Sequence, residues 1–301
     1  MLHVVGNVAI DTIFRVDRFP LPGETIVATA MVEDIGGKGA NQAVVAARAG
    51  VPVRVVAAVG DDEAAQRIHA ALAIEGVIVD GLRIISGRTD RSSIYVDATG
   101  ENTIVSLIGA AQAFDPLASG ALDGLAGDDT VLCQGNLRPD VLVSCLARAR
   151  QAGATAVLNP SPVFPSAGFD WGLADLLVLN RVEGRQITGL DDPREAARWL
   201  SAAGAGAVVV TLGRDGAILV ADEERAVPAP SVDAIDTTGA GDAFCGMLVA
   251  MRLNGLPWAD ALALAAGAAA IVVTRRGVLA AFPRGDEIQA MVKNRTRRGQ
   301  G

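Results

Sequence analysis

The sequence has 301 residues, of which half are hydrophobic and 34 are glycines, and its formal net charge is −8. This composition excludes a disordered chain and is typical of an α/β protein with many tight turns. The negative charge argues against a nucleic-acid or membrane-surface binder, because nucleic acids and membrane surfaces are themselves negatively charged and bind positively charged protein surfaces. The three cysteines, Cys133, Cys145 and Cys245, show no metal-ligand spacing and no even pairing. We therefore expect a reduced, cytoplasmic protein.

Short β-branched runs alternate with amphipathic stretches, a pattern that predicts βα units around a mainly parallel sheet. The alanine-rich stretch 259–273 is shorter than the ~20 residues that cross a bilayer, so we interpret it as a buried helix. The pattern predicts a three-layer sandwich with ligands beyond the C-terminal ends of the strands. Strands are predicted at 2–8, 53–59, 130–134, 155–159, 175–179, 207–211 and 217–221. Helices are predicted at 38–49, 63–75, 138–151, 193–203, 240–253 and 257–273.

Two segments, at about 12–34 and 88–107, interrupt this alternation. The first has strand-like pieces around Pro20 and Pro22, and the second has two β-branched runs around the turn 99–102. These pieces are expected to pair into a small sheet that covers a cleft. The alternative is a pair of edge hairpins with no role in binding. Because the chain shows no internal repeat or long linker, residues 1–301 are predicted to form a single domain.

The stretch 236–244, DTTGAGDAF, leads from a turn of small residues directly into a long apolar helix. Its glycines allow backbone amides to converge at the helix N-terminus, which predicts an anion site suited to a transferred phosphoryl group. Asp242 lies in the first turn, where its carboxylate can accept the proton of an attacking hydroxyl. The alternative is that Asp236 or Asp242 only caps the helix. The stretch matches neither a Walker A loop nor a dinucleotide fingerprint.

A second stretch, 36–43, reads GGKGANQA and again places glycines before an alanine-rich helix. The backbone can approach a small ligand closely there, Asn41 can hydrogen-bond hydroxyl groups, and Lys38 adds positive charge. The alternative is a tight turn with a solvated lysine.

His3 and His69 are too few and too far apart for a metal cluster or a Ser/His/Asp triad, and we interpret both as structural. Cys245 is interpreted as a small buried hydrophobe rather than a reactive thiol.

The two glycine-rich stretches resemble the two signature segments of the PfkB carbohydrate kinase family, most of all its ribokinase branch, and the resemblance runs end to end. It implies a ribokinase-like three-layer αβα sandwich with a mainly parallel central sheet and a small β-sheet lid. It also implies transfer of the ATP γ-phosphate, accompanied by Mg²⁺, to a primary hydroxyl of a small sugar. Further pieces follow in the family's order: Gly6–Asp11, Pro22–Glu24, Asn159–Pro160, Asn180–Glu183 and Thr211–Gly216.

The resemblance also implies roles for individual residues. Asp242 matches the family's catalytic base, and Gly239, Ala240 and Gly241 match its anion hole. Taken without the family, Asn180 and Glu183 are only a polar pair one helical turn apart, as on any surface helix. Asp11, Gly37 and Asn41 match the family's sugar-binding positions, and Lys38 and Asn136 are predicted to bind the substrate with them. Asn180 and Glu183 match the motif associated with phosphate and Mg²⁺, with Glu183 as the predicted Mg²⁺ ligand. Thr211 and Gly213 match the nucleotide-binding strand end, and Gly216 is predicted to bind the nucleotide with them.

Three positions depart from the ribokinase branch. Ala9 replaces an asparagine and Asn136 a glutamate that contact ribose there, and losing such hydrogen bonds can redirect specificity by 10⁴-fold or more. Ala281 replaces a serine at the family's monovalent-cation site. The carbonyls of four residues are then left to hold K⁺, and we expect only weak K⁺ dependence. Those four residues are Asp236, Thr238, Arg275 and Gly277.

Two alternatives to a sugar kinase stay open at this point. One is a nucleoside kinase of the same family, if the changes at Ala9 and Asn136 make room for a base. The other, from a different class, is a catalytically silent sugar or nucleotide sensor, against which the intact Asp242 and the anion-hole glycines argue. By analogy with the family, a homodimer formed through the lid is also expected.

Overall fold

The computed structural model describes residues 1–298. Its strands are β1 (Leu2–Val5), β2 (Ala9–Arg15), β3 (Ala30–Gly36), β4 (Val53–Val59), β5 (Ile78–Ile84), β6 (Asp90–Val96), β7 (Asn102–Leu107), β8 (Thr130–Gln134), β9 (Thr155–Asn159), β10 (Leu176–Asn180), β11 (Ala207–Thr211), β12 (Ala217–Val220) and β13 (Glu224–Val227). Its α-helices are α1 (Lys38–Arg48), α2 (Glu63–Ile74), α3 (Gly109–Ala113), α4 (Pro139–Gln151), α5 (Arg181–Thr188), α6 (Pro193–Ala202), α7 (Ala240–Leu253), α8 (Trp258–Val273) and α9 (Gly285–Arg298).

The larger sheet has nine strands in the order β13-β12-β11-β10-β9-β8-β1-β4-β5. From β5 to β11 neighbouring strands are parallel, whereas β12 and β13 are antiparallel at one edge. The short β12–β13 hairpin therefore ends the sheet without a crossover helix. The parallel strands all point the same way, so their C-terminal ends meet along one edge, where polar side chains follow β8, β9 and β10.

Successive side chains of the strands enter two different hydrophobic cores. Val4 of β1 packs with α1, α7 and α8, whereas Val5, the next residue, packs with the core beneath α4 and α6. Because side chains alternate across a strand, this division shows that helices cover both faces of the sheet. The observed three-layer αβα sandwich confirms the predicted fold class. Within the described residues, no helix is long and apolar enough to cross a membrane.

The second sheet has four strands in the order β3-β2-β6-β7. β2 pairs with β3 antiparallel and with β6 parallel, and Asp11 of β2 lies opposite Ser92 of β6. These strands come from the two segments that interrupt the βα alternation, and the sheet stands apart from the larger one. All of β7 is exposed, whereas the end of β3 nearest α1 is buried.

The predicted boundaries agree within a few residues for most elements, and the differences have local causes. The first strand ends at Val5 rather than at residue 8, because the chain then leaves the larger sheet and enters β2 at Ala9. A Cβ on Gly6 would meet Gln134 Oε1 at 1.5 Å, so a larger residue at this departure would displace the buried side chain of Gln134. β5, β13, α3, α5 and α9 were not predicted, since they are short or carry glycine and mixed polarity.

Candidate active site

Asp242 lies in the first turn of α7 and is 6% exposed. Gly239 precedes the helix with φ 78° and ψ −4°, a left-handed conformation that favours glycine. Within residues 1–298 the backbone amides of Gly241 and Asp242 donate no hydrogen bond, whereas the amide of Ala240 is engaged by Thr237 O at 3.3 Å. The predicted anion site therefore has free amides at Gly241 and Asp242 but not at Ala240.

Amide donors from α1 surround the Asp242 carboxylate. Asn41 Nδ2 donates to Oδ2 at 2.9 Å, and Gln42 Nε2 donates to Oδ1 at 3.0 Å. Lys38 Nζ lies 3.9 Å from Oδ1, so the partly exposed side chain of Lys38 reaches toward the site. The structure thus brings together Asp242, Lys38 and Asn41, which the sequence placed about 200 residues apart.

Two consecutive glycines let the start of α1 approach β2 and the segment before it. A Cβ on Gly37, at φ 87°, would lie 2.8 Å from Asn7 O, and a Cβ on Gly36 would lie 1.9 Å from Asp11 Oδ2. Asn7 Oδ1 accepts hydrogen bonds from the Lys38 amide at 3.1 Å and from Asn136 Nδ2. The positions predicted to bind sugar therefore gather beside Asp242, in the region formed by β2, the start of α1 and the turn after β8, which we call the cleft.

Several buried acceptors in this cleft have no hydrogen-bond partner within the described residues. They are Asp11 Oδ1, Asn41 Oδ1 and Asn136 Oδ1, and their side chains are 3–6% exposed. Buried polar atoms are normally paired, because leaving one unpaired costs roughly 1–3 kcal/mol. A ligand that carries several hydroxyl donors would satisfy all three oxygens.

Burial raises the pKa of Asp11 to about 6. Hydrogen bonding by Ser92 opposes this rise, the neighbouring carboxylates of Asp242 and Asp34 add to it, and Lys38 opposes it. Because the folded-state pKa is higher than the unfolded one, protonation of Asp11 favours the folded state. That contribution is complete below about pH 4 and is lost as the pH rises through about 6. At neutral pH the ionised carboxylate of Asp11 is therefore a destabilising buried charge.

We expect Asp11→Asn to make the unliganded protein more stable at pH 7.5, by on the order of 2 kcal/mol, because it removes a buried charge without changing shape. The gain should shrink at pH 4.5, where Asp11 is already protonated. The same change should lower kcat/KM for the sugar by about 10²-fold or more, since an acceptor becomes an amide. Thermal melts at the two pH values and steady-state kinetics measure both effects. A variant less stable than the parent at pH 7.5 would contradict the argument.

The residues matched to the nucleotide lie at the ends of β10 and β11. Asn180 and Glu183 form a capping box, in which Asn180 Oδ1 accepts from the Glu183 amide at 2.9 Å and Glu183 Oε2 accepts from the Asn180 amide at 2.8 Å. Asn180 pairs in register with Thr211. Gly213 and Gly216 shape the next turn with positive φ, and a Cβ on Gly216 would lie 1.9 Å from Val227 O. The capping box gives Asn180 and Glu183 a structural role that the sequence pattern did not indicate.

The structure also locates the residues matched to ions. Mg²⁺ in nucleotide sites is held by phosphates, waters and one or two carboxylates, and Glu183, 8% exposed, offers one such carboxylate. Within residues 1–298 no group of three or more His, Cys, Asp or Glu side chains could hold a metal alone.

In the same part of the chain, the backbone carbonyl oxygens of the four residues matched to K⁺ accept no hydrogen bond, so their lone pairs are available to a cation. Those residues are Asp236, Thr238, Arg275 and Gly277.

Two charged residues join the small sheet to the loops around the candidate cation site. Arg15 Nη2 of β2 lies 3.1 Å from Asp236 Oδ2, and Asp236 is 2% exposed and also accepts from the Thr238 amide at 3.0 Å. Asp34 Oδ2 of β3 accepts from the amides of Val278 and Leu279 at 3.2 and 3.1 Å. The fixed guanidinium of Arg15 thus lies beside one of the candidate K⁺ ligands.

The sequence patterns missed Arg15 and a group of buried amides formed by Gln42, Gln134 and Asn159. A signal was present, because Gln42 is a polar residue within the alanine-rich start of α1, but the sequence pattern alone does not say which way its side chain points.

Cys245, predicted to be a buried hydrophobe, is 1% exposed. Burial raises the pKa of its thiol far above the usual range, and the Asp242 carboxylate raises it further. Cys245 is therefore not a reactive thiolate.

Comparison with known proteins identifies the family. The chain belongs to the pfkB family of carbohydrate kinases, whose pattern matches residues 1–284, and it is therefore a phosphotransferase that acts on an alcohol group. A ribokinase of Haemophilus influenzae is 31% identical over 290 residues, 94% of this chain and 95% of that protein. A deoxyribokinase of Salmonella typhi is 30% identical over 291 residues, with 94% and 95% covered. The structure of Arabidopsis thaliana ribokinase complexed with ribose and ATP superposes with a TM-score of 0.84 at 26% identity, covering 97% of this chain and 98% of that one.

Proposed function

We propose that this protein transfers the γ-phosphoryl group of ATP to the primary hydroxyl of a pentose or a similarly small sugar. The observation that carries the proposal is the set of three unpartnered buried oxygens, on Asp11, Asn41 and Asn136, that face the cleft beside Asp242. A sugar supplies hydroxyl donors to these oxygens and presents one further hydroxyl to Asp242. The neighbouring start of α7, with the free amides of Gly241 and Asp242, is suited to the phosphoryl group.

In this mechanism, Asp242 accepts the proton of the primary hydroxyl while that oxygen forms the new bond to phosphorus. The bond from phosphorus to the leaving oxygen breaks, and ADP leaves with that electron pair. The amides of Gly241 and Asp242, together with Lys38, stabilise the negative charge on the transferred group. The small sheet covers the cleft and excludes water, so that hydrolysis does not compete with transfer.

For the nucleotide we propose the loops at the ends of β10 and β11, with Asn180, Thr211, Gly213 and Gly216 nearest the phosphates or the ribose of ATP. When bound, Mg²⁺ would neutralise phosphate charge, and Glu183 is the carboxylate placed to hold it, directly or through water.

We also propose a cytoplasmic location. ATP as the cosubstrate and the buried free cysteines Cys133, Cys145 and Cys245 support this proposal.

The identity of the sugar depends on Asn136 and Ala9. Asn136 uses its Nδ2 on Asn7 and offers Oδ1 to a ligand, so it supplies one neutral acceptor where the ribokinase branch has a charged carboxylate. Ala9 is buried and offers no polar group. With fewer polar partners for the ring hydroxyls, we expect 2-deoxyribose to be accepted about as well as ribose.

The test is a coupled ADP-release assay with Mg·ATP against ribose, 2-deoxyribose, hexoses, sugar phosphates and nucleosides. Turnover with a pentose supports the proposal, and turnover with nucleosides alone would replace it with a nucleoside kinase. Silence across the panel, with ATP binding retained, would leave a non-catalytic sensor.

We expect K⁺ to raise kcat by no more than about twofold at constant ionic strength. Ala281 offers no side-chain ligand, and the guanidinium of Arg15, 3.1 Å from the Asp236 carboxylate, repels a second cation there. The measurement is a titration of KCl against a tetramethylammonium salt, followed by kcat. A rise of about tenfold or more would contradict this expectation.

We also propose that the small sheet forms a homodimer contact. Its exposed strands carry several large apolar side chains, and exposed apolar surface of this kind is stabilised when a protein contact buries it. These are Met31, Val32, Ile104, Val105 and Leu107.

A further inference from the structure

Gln42 is a fully buried amide on α1 that lies between the predicted catalytic base and the centre of the larger sheet. Its Nε2 group donates to Asp242 Oδ1 and to Asn159 Oδ1, each at 3.0 Å. Its Oε1 atom accepts from Gln134 Nε2 at 3.0 Å. Every polar atom of the Gln42 side chain is thus engaged inside the protein, and none is left for a ligand. This separates Gln42 from its neighbour Asn41, whose Oδ1 faces the cleft without a partner among residues 1–298.

The partners of Gln42 fix which way its amide points. Gln134, at the end of β8, donates to Gln42 and so requires Oε1 on that side, which leaves the Nε2 donor on the side of Asp242. Asn159, at the end of β9, donates through Nδ2 to Val178 O of β10 at 2.8 Å and therefore offers its own Oδ1 to Gln42. Residues of three adjacent strands, β8, β9 and β10, thus hold one amide donor in a single orientation against the Asp242 carboxylate.

The approach of α1 to α7 that allows this contact depends on a glycine. Gly246 lies four residues after Asp242 and therefore on the same face of α7. A Cβ at this position would lie 2.6 Å from Gln42 O and 3.2 Å from Val45 Cβ. No other residue allows the two helix backbones to come this close without a shift, so Gly246 sets the separation at which the Gln42 side chain reaches Asp242.

We propose that Gln42 is a positioning residue for phosphoryl transfer, one that fixes the rotation of the Asp242 carboxylate through Oδ1 while Asn41 holds Oδ2 from the substrate side. The inference rests on the proposed role of Asp242 as the base. A carboxylate held by only one of the two amides can turn about its χ2 bond, so its basic oxygen spends less time in line with the sugar hydroxyl. Misplacement of a reacting group by about 1 Å can cost 10²-fold in rate.

The first test is Gln42→Met, which keeps the length of the side chain and removes the donor. We expect kcat to fall about 10- to 100-fold, with KM for the sugar and for ATP changed less than about threefold, because Gln42 touches neither substrate. Leu72→Ala is the matched control, since Leu72 is fully buried on α2 and its loss destabilises the fold without contact to Asp242. Both variants are assayed well below their measured melting temperatures.

A double-mutant cycle separates positioning from a structural role. If Gln42 acts through Asp242, adding Gln42→Met to Asp242→Asn should change kcat by less than about twofold, because the carboxylate it orients is already absent. Losses that multiply in the double variant would overturn the proposal, as would a Gln42→Met enzyme with the kcat of the Leu72→Ala control. If Asp242→Asn alone keeps near-parental turnover, the base assignment fails and the positioning role fails with it, which is a different outcome from the first two.

Gln42→Glu provides a second variant in case the methionine variant does not fold. It keeps the shape of the side chain and the acceptor for Gln134, and it exchanges only the amide donor for a carboxyl group. When protonated, the introduced carboxyl group regains a donor toward Asp242. The ratio of the kcat of this variant to that of the parent should therefore rise as the pH is lowered from about 8 to about 6. A ratio that does not change with pH would count against the proposal.

Discussion

Asp242→Asn should lower kcat by about 10³- to 10⁴-fold while leaving the KM for sugar and for ATP nearly unchanged. Asparagine has the same shape but cannot take the proton of the attacking hydroxyl, and general-base catalysis contributes about 10²- to 10⁴-fold in enzymes. The surroundings of Asp242 support this role, because the carboxylate is 6% exposed and lies beside the unpartnered acceptors of the cleft. A residue that only capped α7 would affect stability far more than turnover.

The measurement is steady-state kinetics together with calorimetric binding of the nucleotide and the sugar. Asp128→Asn serves as the matched control, since Asp128 is exposed and precedes β8 at the opposite end of the strands. We expect that control to be indistinguishable from the parent. An Asp242→Asn enzyme within about tenfold of the parental kcat would remove Asp242 from the base role, and intact kcat with weakened binding would assign it to substrate binding instead.

The second large effect is expected from Gly239→Ala, at the turn that leads into α7. Gly239 has φ 78°, and an alanine in this left-handed conformation costs roughly 1–2 kcal/mol. The added Cβ would also lie 2.9 Å from Phe282 Cε1, so the turn or the ring must shift. Either shift moves the amides of Gly241 and Asp242 away from the transferred phosphoryl group. Loss of one such donor costs about 10²- to 10³-fold in kcat, and we expect a loss of that size here.

The same substitution two residues later provides the control. A Cβ on Gly241 meets nothing within 4 Å, and Gly241 lies inside the helix, where alanine is favoured over glycine by about 1 kcal/mol. Gly241→Ala should therefore melt at or above the parental temperature, whereas Gly239→Ala should melt below it. Equal melting temperatures for the two variants, with equal kcat, would show that the geometry of the turn does not control transfer.

The sequence indicated most of the architecture because the fold follows from local patterns. β-branched runs such as Val53–Val59 and amphipathic stretches such as Lys38–Arg48 carry their own periodicity, and the glycines of 36–39 and 239–241 mark turns into helices. It missed β5, where Gly81 faces Val55 O and mixed polarity hides the alternation. It also missed α5, an eight-residue helix that depends on the Asn180–Glu183 capping box.

The order of βα units, the position of the two glycine-rich turns and the placement of Asp242 in the first turn of a helix could all be predicted from the sequence, since each depends on residues adjacent in the chain. Which distant groups act on that carboxylate follows from tertiary packing instead. Gln42 and Asn159 lie 200 and 83 residues away from Asp242 along the chain. They meet beside it because α1 packs on α7 and because parallel strands end at one edge of the sheet. Hydrogen bonds of this kind leave no periodic trace in a sequence, because their partners are fixed by packing rather than by spacing.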